Sequence, residues 1–329
     1  MQQGRTMAIL EADGLKKHFN GLAAVDGVSF AIDNGSIFGF LGPNGAGKTT
    51  TINMLTGLAR PTAGKIFYQG RECTHRLKDA QHLMGVVPDE SNLYPELNGF
   101  ENLCFCAALY GLGKAEREAR ARSLLETFGL ADAAGRKFGG YSKGMKRKLT
   151  IAAAVIHQPA ILFLDEPTSG IDVASARQIR QLLANLKREG TTIFLTTHYI
   201  EEAERLCDRI AFIVNGRIVA NDEVATLLKP VQGRFATVFA VHGSEPSLID
   251  NLRSTFPDLD FTPESQHQIR VESTGPIAIG PLVRVFEEKG IEVVEARRVQ
   301  PSLEDVFVRI TGIEALVMKK EKEKQGGAA

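Results

Sequence analysis

One glycine-rich loop, set between an apolar run and a helix-like segment, constrains this 329-residue chain more than any other feature. The apolar run covers residues 36–41, and the predicted helix covers 48–58. The pattern G-x-x-x-x-G-K-[ST] is met by Gly42, Pro43, Asn44, Gly45, Ala46, Gly47, Lys48 and Thr49, with Thr50 following. In such a strand–loop–helix unit, backbone N–H groups surround a phosphate, the lysine brings positive charge to the β- and γ-phosphates, and the threonine hydroxyl can hold Mg²⁺. The loop therefore predicts a nucleoside triphosphate site in an α/β fold.

A second apolar run, residues 161–164, ends in the carboxylates Asp165 and Glu166. Ligands of open α/β sheets bind at the carboxyl ends of the strands, and there Asp165 is expected to hold Mg²⁺. Glu166, directly after it, can orient and deprotonate a water that attacks the γ-phosphate. Taken alone, the pair could be two acids at the start of a helix. With the phosphate loop present, we interpret it as the second half of the same site.

Strands alternate with helices through most of the chain, which predicts a largely parallel sheet. The predicted strands are 8–12, 16–19, 27–32, 36–41, 161–164 and 191–197, followed by a hairpin of 209–214 and 217–219. The predicted helices are 48–58, 100–109, 114–128, 142–157, 173–187 and 199–206, with Ser142 as the N-cap of its helix. After Lys229-Pro230, smaller strands and helices alternate again. We therefore predict a nucleotide-binding domain at 7–229 with a helical part at about 90–158, an α+β accessory domain at 230–313, and a disordered charged tail at 314–329.

Composition argues against several other classes of protein. Lys and Arg together number 39, as do Asp and Glu, so no net charge draws the chain to DNA or to anionic lipid. Trp is absent and aromatic residues are 7%, which argues against a stacking platform for single-stranded nucleic acid. No apolar run approaches the roughly 20 residues of a membrane span, and the four cysteines are interpreted as reduced thiols. We expect a soluble, cytoplasmic protein that binds no nucleic acid and reaches a membrane only through another chain.

Four further motifs accompany the two halves of the predicted site. Residues 141–145 (YSKGM) precede the carboxylate pair, residues 169–172 (SGID) follow it, Thr197-His198 ends the next predicted strand, and Phe19 lies before the phosphate loop. Each motif alone has an ordinary structural explanation. In this combination and order, the chain resembles the nucleotide-binding subunit of an ABC transporter over about residues 8–228.

The resemblance implies a P-loop NTPase core of the ABC type, with an N-terminal antiparallel β subdomain, an inserted helical subdomain and a small C-terminal α+β domain. It implies that two copies pair head to tail and enclose two ATP molecules with Mg²⁺. It also implies a role for each motif: Phe19 stacks on adenine, Lys48, Glu166 and His198 form the catalytic set, Ser142, Lys143 and Gly144 contact the nucleotide held by the other copy, and Asp172 couples the two sites.

Two departures from the family pattern resemble a subgroup of exporters. Asp89 stands where family members often carry Gln, so it is predicted as a metal ligand beside Thr49 and Asp165. The signature segment has Lys143 and Met145 in place of the usual Gly and Gln. These variants, and the ending PSLEDVF at 301–307, are similar to exporter subunits that pair with a separate ABC-2-type permease.

That similarity implies a peripheral position on the inner face of the cell membrane, with the cargo chosen by the permease. In the family, the permease docks in the cleft between the core and the helical subdomain. Here the corresponding stretch lies around residues 89–100, where Leu93 and Tyr94 are apolar residues in a loop-like sequence. We therefore expect Leu93 and Tyr94 to face the permease.

The sequence fits three other classes of protein less well than a transport subunit. A soluble ABC ATPase that acts on ribosomes usually carries two nucleotide-binding domains, and this chain has one phosphate loop. A DNA-repair or chromosome ATPase has long heptad-patterned arms, whereas about 110 residues separate Thr49 from Ile161 here, without sustained heptads. A binding module without catalysis would not be expected to keep Lys48, Glu166 and His198. Transport is the leading interpretation, and a soluble ABC ATPase is the alternative.

Overall fold

The computed structural model describes residues 8–243, 248–265, 267–300 and 302–313. Within them the chain divides into two compact units, 8–224 with 310–313, and 225–309. The division therefore falls slightly before the predicted boundary at Lys229-Pro230. The predicted tail, 314–329, lies outside the described residues.

The first unit contains ten strands and six helices in its described part, and a seventh helix lies at the division. The strands are β1 (Ala8–Phe19), β2 (Leu22–Asp33), β3 (Ile37–Leu41), β4 (Ala63–Tyr68), β5 (Arg71–Glu72), β6 (Met84–Val87), β7 (Ile161–Asp165), β8 (Thr192–Thr197), β9 (Arg209–Val214) and β10 (Arg217–Glu223). The helices are α1 (Lys48–Thr56), α2 (Gly99–Leu109), α3 (Lys114–Thr127), α4 (Lys143–Val155), α5 (Val173–Arg188), α6 (Ile200–Leu206) and α7 (Val224–Leu228).

The central sheet has six strands in the order β10-β9-β3-β8-β7-β6. Neighbouring strands from β9 to β6 pair in parallel, and only β10 is antiparallel to its neighbour. Every residue of β3, β7 and β8 is buried. Strands covered on both faces favour apolar side chains on both, which is why β3 and residues 161–164 are continuously apolar rather than alternating, although β8 also buries three threonines. The sheet brings the ends of β3, β8 and β7 side by side.

A second sheet, β2-β1-β4-β5, is antiparallel throughout. The sequence predicted short separate strands at 8–12, 16–19 and 27–32, but the structure forms two continuous strands of 12 residues each. Bulges in the β1–β2 pairing allow β1 to continue through Gly14, whose φ is +59°. Strand β4 was not predicted; it fits because Gly64 carries no Cβ, which would lie 2.5 Å from the Gly14 carbonyl oxygen.

The helical part comprises α2, α3 and α4, close to the predicted bounds. Asn98 begins α2 with a capping box, because its side chain accepts from the Glu101 N–H while the Glu101 carboxylate accepts from the Asn98 N–H. Ser142 is the N-cap of α4, as predicted, and its hydroxyl accepts from the Met145 N–H at 3.3 Å. The first turn of α4 therefore presents residues 142–145 at a helix N-terminus.

The second unit packs its helices on a four-stranded antiparallel sheet in the order β12-β13-β11-β14. Its elements are β11 (Phe235–His242), α8 (Leu248–Thr255), β12 (Asp260–Ser265), β13 (Gln268–Ser273), α9 (Ile279–Glu288), β14 (Glu292–Val299) and α10 (Leu303–Thr311). The core centres on Phe239, Val271 and Phe286. Strand β12 was not predicted, because an edge strand with Pro263 lacks the alternating apolar pattern. Across both units, none of the described helices combines the length and apolar character of a membrane span.

Candidate nucleotide-binding and catalytic site

The glycine-rich loop joins the end of β3 to the start of α1 and packs tightly under the central sheet. A Cβ on Gly42 would lie 2.1 Å from the Ile213 carbonyl oxygen, and one on Gly47 would lie 2.5 Å from the Ala24 carbonyl oxygen. Gly47 also has a φ of +103°, which favours glycine. Neighbouring backbone therefore comes too close for any residue but glycine at these two positions. The loop joins a strand to a helix, as the sequence predicted.

The Lys48 side chain is buried, with 6% of its surface exposed, and lies over the loop. Its Nζ donates to the carbonyl oxygens of Gly42 at 2.8 Å and Pro43 at 3.2 Å. The same Nζ lies 3.4 Å from Oε1 of Glu166. The loop lysine and the carboxylate after β7 are 118 residues apart in sequence, and the sheet brings them together.

Asp165 ends β7 and is held by two hydroxyls. Thr49 Oγ1 donates to Oδ2 of Asp165 at 2.8 Å, and Thr196 Oγ1 donates to Oδ1. Both Thr49 and Asp165 offer hard oxygen atoms next to the phosphate loop. Magnesium in nucleotide sites is bound by one or two protein oxygens together with phosphate oxygens and waters, so the donor chemistry of this pair fits Mg²⁺.

Glu166 is paired with His198, the third member of the predicted catalytic set. His198 Nδ1 lies 2.8 Å from Oε2 of Glu166, and both side chains are largely buried. Burial alone would raise the pKa of the Glu166 carboxyl, but the hydrogen bond and charge of His198, together with Lys48, lower it below its ordinary value. Glu166 therefore stays ionised at neutral pH, which suits a proton acceptor. Two atoms buried here, Oε1 of Glu166 and Nε2 of His198, have no hydrogen-bond partner among the described residues.

The backbone at Glu166 adopts a left-handed conformation that non-glycine residues rarely occupy, with φ of +49°. Two interactions hold it there, since the Glu166 N–H donates to the carbonyl oxygen of Thr196 at 3.1 Å and to its Oγ1 at 3.2 Å. Strained backbone at a buried carboxylate is typical of functional sites. Thr196 therefore orients both Asp165 and Glu166, a role that the sequence analysis missed.

Asp89 follows β6, and its side chain is 60% exposed. Burial raises the pKa of the Asp89 carboxyl; Arg147 opposes this, and the charges of Asp165 and Glu166 add to it. Strand β6, which leads to Asp89, pairs in parallel with β7, which ends at Asp165. Oδ1 of Asp89 is 3.5 Å from Nη2 of Arg147, a residue that sequence analysis did not single out. The helical spacing could have predicted that Arg147 is buried, because it falls three residues after Gly144 and four before Ile151, on the buried face of α4.

The signature segment and the residues after Glu166 meet at the starts of two helices. Asp172 caps α5, and its Oδ1 accepts from the Ser175 N–H at 2.8 Å. A Cβ on Gly144 would lie 2.4 Å from Oγ of Ser175, so the close approach of α4 to α5 requires glycine. Ser142 and Lys143 are exposed beside Gly144. The structure therefore places Ser142, Lys143, Gly144 and Asp172 in one region.

Three other predicted residues lie in other parts of the first unit. Phe19 ends β1 on the antiparallel sheet, half exposed, with Lys17 Nζ 4.9 Å from its ring centroid.

The expectation that Leu93 and Tyr94 both face a partner was wrong for Leu93, which is 9% exposed. Tyr94 is half exposed and packs edge-on against Phe105 at 5.0 Å between centroids. An apolar residue in a loop-like sequence was here an anchor for the loop rather than a surface residue.

Comparison with known proteins agrees with this arrangement. Residues 25–169 match the family model described as ABC transporter. The linearmycin resistance ATP-binding protein LnrL of Bacillus subtilis is 35% identical over 309 residues, covering 92% of this chain and 98% of that protein. The chain belongs to the ATP-binding subunits of ABC transporters. The Nod factor export ATP-binding protein I of Burkholderia orbicola is 36% identical over 310 residues, covering 94% and 99%.

Solved ABC cassettes share the fold. An ATP-binding subunit of an ABC transporter superposes with a TM-score of 0.62 and 32% identity, over 68% of this chain and 92% of that one. A dimeric cassette in a post-hydrolysis state with ADP and phosphate gives a TM-score of 0.60 at 25% identity, over 65% and 98%. The predicted fold class, ATP binding and ATP hydrolysis are thereby confirmed for this ABC subunit.

Proposed function

We propose that this ABC subunit powers export through a separate permease of the ABC-2 type, working as a homodimer on the inner face of the cell membrane. The observation that supports this best is the extent of the similarity to subunits named for drug resistance and Nod factor export. It spans 92–94% of this chain and so includes the second unit, not the ATPase core alone.

In this proposal the loop residues 42–50 bind the phosphates of ATP through backbone N–H groups and Lys48. Thr49 and Asp165 would hold Mg²⁺, with Asp89 as a further oxygen ligand; the ion would neutralise charge on the phosphates. Phe19 would stack on the adenine. Residues Ser142, Lys143 and Gly144 would contact the nucleotide of the other copy, because the N-terminus of α4 favours anions.

Glu166 would accept the proton of the attacking water. Its ionised carboxylate is fixed by His198 on one side and faces Lys48 on the other. His198 keeps Nε2 without a protein partner among the described residues, so with both ring nitrogens protonated it would donate from Nδ1 to Glu166 and from Nε2 to a γ-phosphate oxygen. Lys48 must turn from the carbonyls of Gly42 and Pro43 to meet phosphate. Asp172 would couple the two sites, because it begins α5 where that helix meets Gly144.

If Asp89 is a metal ligand, replacing it with Ala should raise the Mg²⁺ concentration needed for half-maximal hydrolysis by about tenfold. ATP affinity at saturating Mg²⁺ should change much less, since Lys48 and the loop remain. Magnesium titrations of ATPase activity and of nucleotide binding measure the two effects. Asp132→Ala, at an exposed acid in the helical part, is the matched control. An unchanged Mg²⁺ requirement would leave Asp89 as a residue that only anchors its loop.

Export through a permease is tested by capture from the membranes of cells that make this chain. A tagged subunit should co-purify with a protein that has several membrane spans. Tyr94→Asp should weaken that association by about 30-fold, the effect of losing one aromatic hot spot of about 2 kcal/mol. Leu58→Asp, at another exposed apolar residue, should leave it intact. Recovery with ribosomes and with no membrane protein would favour the soluble ABC ATPase instead.

A further inference from the structure

Arg147 is a buried cation that joins α4 to the loop after β6. Its side chain is 8% exposed. Nη1 donates to the Pro88 carbonyl oxygen at 2.6 Å, and Nη2 donates to the Asp89 carbonyl oxygen. The two residues that it contacts lie 58 and 59 positions earlier in the chain. A guanidinium is suited to this task, because its planar fork reaches two acceptors at once.

The Arg147 contact connects the start of α4 to the loop after β6. Arg147 lies five residues after Ser142, on the second turn of α4, and α4 begins with the signature residues. The loop that it holds follows β6, and β6 pairs in parallel with β7, which ends at Asp165. Arg147 is therefore a direct link between the helix that would meet the partner's nucleotide and the loop beside this copy's own site.

Other contacts attach the rest of α4, and His157 just after it, to β6 and to the loop that follows β6. Ser91 Oγ and Thr150 Oγ1 are 2.7 Å apart, and His157 Nε2 lies 3.0 Å from the Met84 carbonyl oxygen. Of these three contacts, the Arg147 contact lies nearest the signature end of the helix. Loss of Arg147 would leave the distal part of α4 attached while its first turns lose their connection to the loop.

We propose that Arg147 is a positioning residue that fixes the signature end of α4 relative to the loop carrying Asp89, and so aligns Ser142 and Gly144 for the nucleotide bound by a second copy. The inference rests on the proposed function, because the alignment matters only if two copies enclose ATP. Arg147 itself touches backbone carbonyls rather than substrate. Since both short contacts are to the main chain, the carboxylate of Asp89 is secondary: its Oδ1 is 3.5 Å away.

The test uses the full chain with Glu166→Gln, so that ATP is bound but hydrolysed slowly. Adding Arg147→Gln should weaken the ATP-dependent dimer by roughly ten- to a hundredfold, the range expected for lost hydrogen bonds to a charged group. Nucleotide affinity of the monomer should stay within about twofold, since Lys48 and its loop are unchanged. Sedimentation across a concentration series measures dimerisation, and titration with a fluorescent ATP analogue measures binding.

Arg120→Gln is the matched control. Arg120 donates to the Ile156 carbonyl oxygen at the far end of α4 and pairs with Glu116 on α3, so its loss removes an arginine from the same helical part without touching the Asp89 loop. This variant should dimerise like the parent. Arg147→Lys keeps the charge but loses the fork, so its dimer should be weakened to an intermediate degree.

The outcomes separate the inference from the function on which it rests. If the Glu166→Gln parent binds ATP yet never dimerises, the proposed homodimer fails. If the parent dimerises and Arg147→Gln dimerises equally well, the positioning role is wrong. If a thermal melt shows that Arg147→Gln is unfolded, the Arg147→Lys variant provides the test. A dimer as strong as the parent's contradicts the positioning role. A weaker dimer with normal nucleotide affinity of the monomer supports it.

Discussion

Replacing Glu166 with Gln should lower ATP hydrolysis by about 10²- to 10⁴-fold, the range for loss of a general base. The amide keeps the shape of the side chain and removes its ability to accept a proton. The carboxylate is ionised and held by His198 at 2.8 Å, so little reorganisation precedes proton transfer. ATP affinity should persist, because the phosphate loop and Lys48 are unchanged. Turnover and nucleotide binding, measured on the same preparation, check both expectations.

The same variant should accumulate as an ATP-bound homodimer, because ATP would contact both copies and hydrolysis no longer releases it. The interface would be two-fold and isologous. Light scattering with and without ATP measures the change, and Glu201→Gln, at an exposed position on α6, is the control that should hydrolyse ATP normally. Turnover at the normal rate in Glu166→Gln would remove Glu166 from the mechanism.

Replacing Lys48 with Gln should weaken ATP binding by roughly ten- to a hundredfold or more, the loss expected for a charged hydrogen bond to phosphate. The buried position of Lys48 increases the effect, because water cannot easily replace the ammonium. The variant also leaves Glu166 without its 3.4 Å neighbour, so the pKa of that carboxyl should rise. Isothermal titration with ATP and Mg²⁺ measures the affinity.

A thermal melt must accompany the Lys48→Gln measurement, since Nζ of Lys48 also donates to the carbonyls of Gly42 and Pro43. Lys65→Gln is the control, because Lys65 is exposed on β4 of the antiparallel sheet and pairs with Glu72 on β5. A folded Lys48→Gln protein that binds ATP with parental affinity would show that the backbone of the loop alone recognises the phosphates.

Local patterns predicted the elements around the candidate site where their geometry depends on neighbours in sequence. The buried run before Gly42 had to be a central strand, because a continuous apolar segment of that length fits a sheet covered on both faces. The glycines of the loop and the hydroxyl of Thr49 follow from the needs of a bound phosphate. Ser142 was recognised as a helix cap for the same reason: a cap is a local hydrogen bond.

Contacts between distant segments could not be predicted in this way. The burial of Leu93 depends on how its loop folds against the helical part. A loop has no regular spacing of apolar residues from which its buried side chains could be predicted. Arg147 contacts the main-chain carbonyls of Pro88 and Asp89. Every residue has such a carbonyl, so the residue types do not indicate this contact. In the second unit, β12 is an edge strand whose pairing with β13, rather than its own composition, makes it a strand.

The phosphate loop, the carboxylates after a buried strand and the order of the motifs can be recognised in the sequence, because each is encoded by adjacent residues. The folded chain was needed to show that Lys48 lies against Glu166, that His198 pairs with that carboxylate, and that a buried arginine connects α4 to the Asp89 loop. The physical reason is that these contacts arise when strands from distant parts of the chain lie side by side, and their energies depend on burial that no single segment possesses.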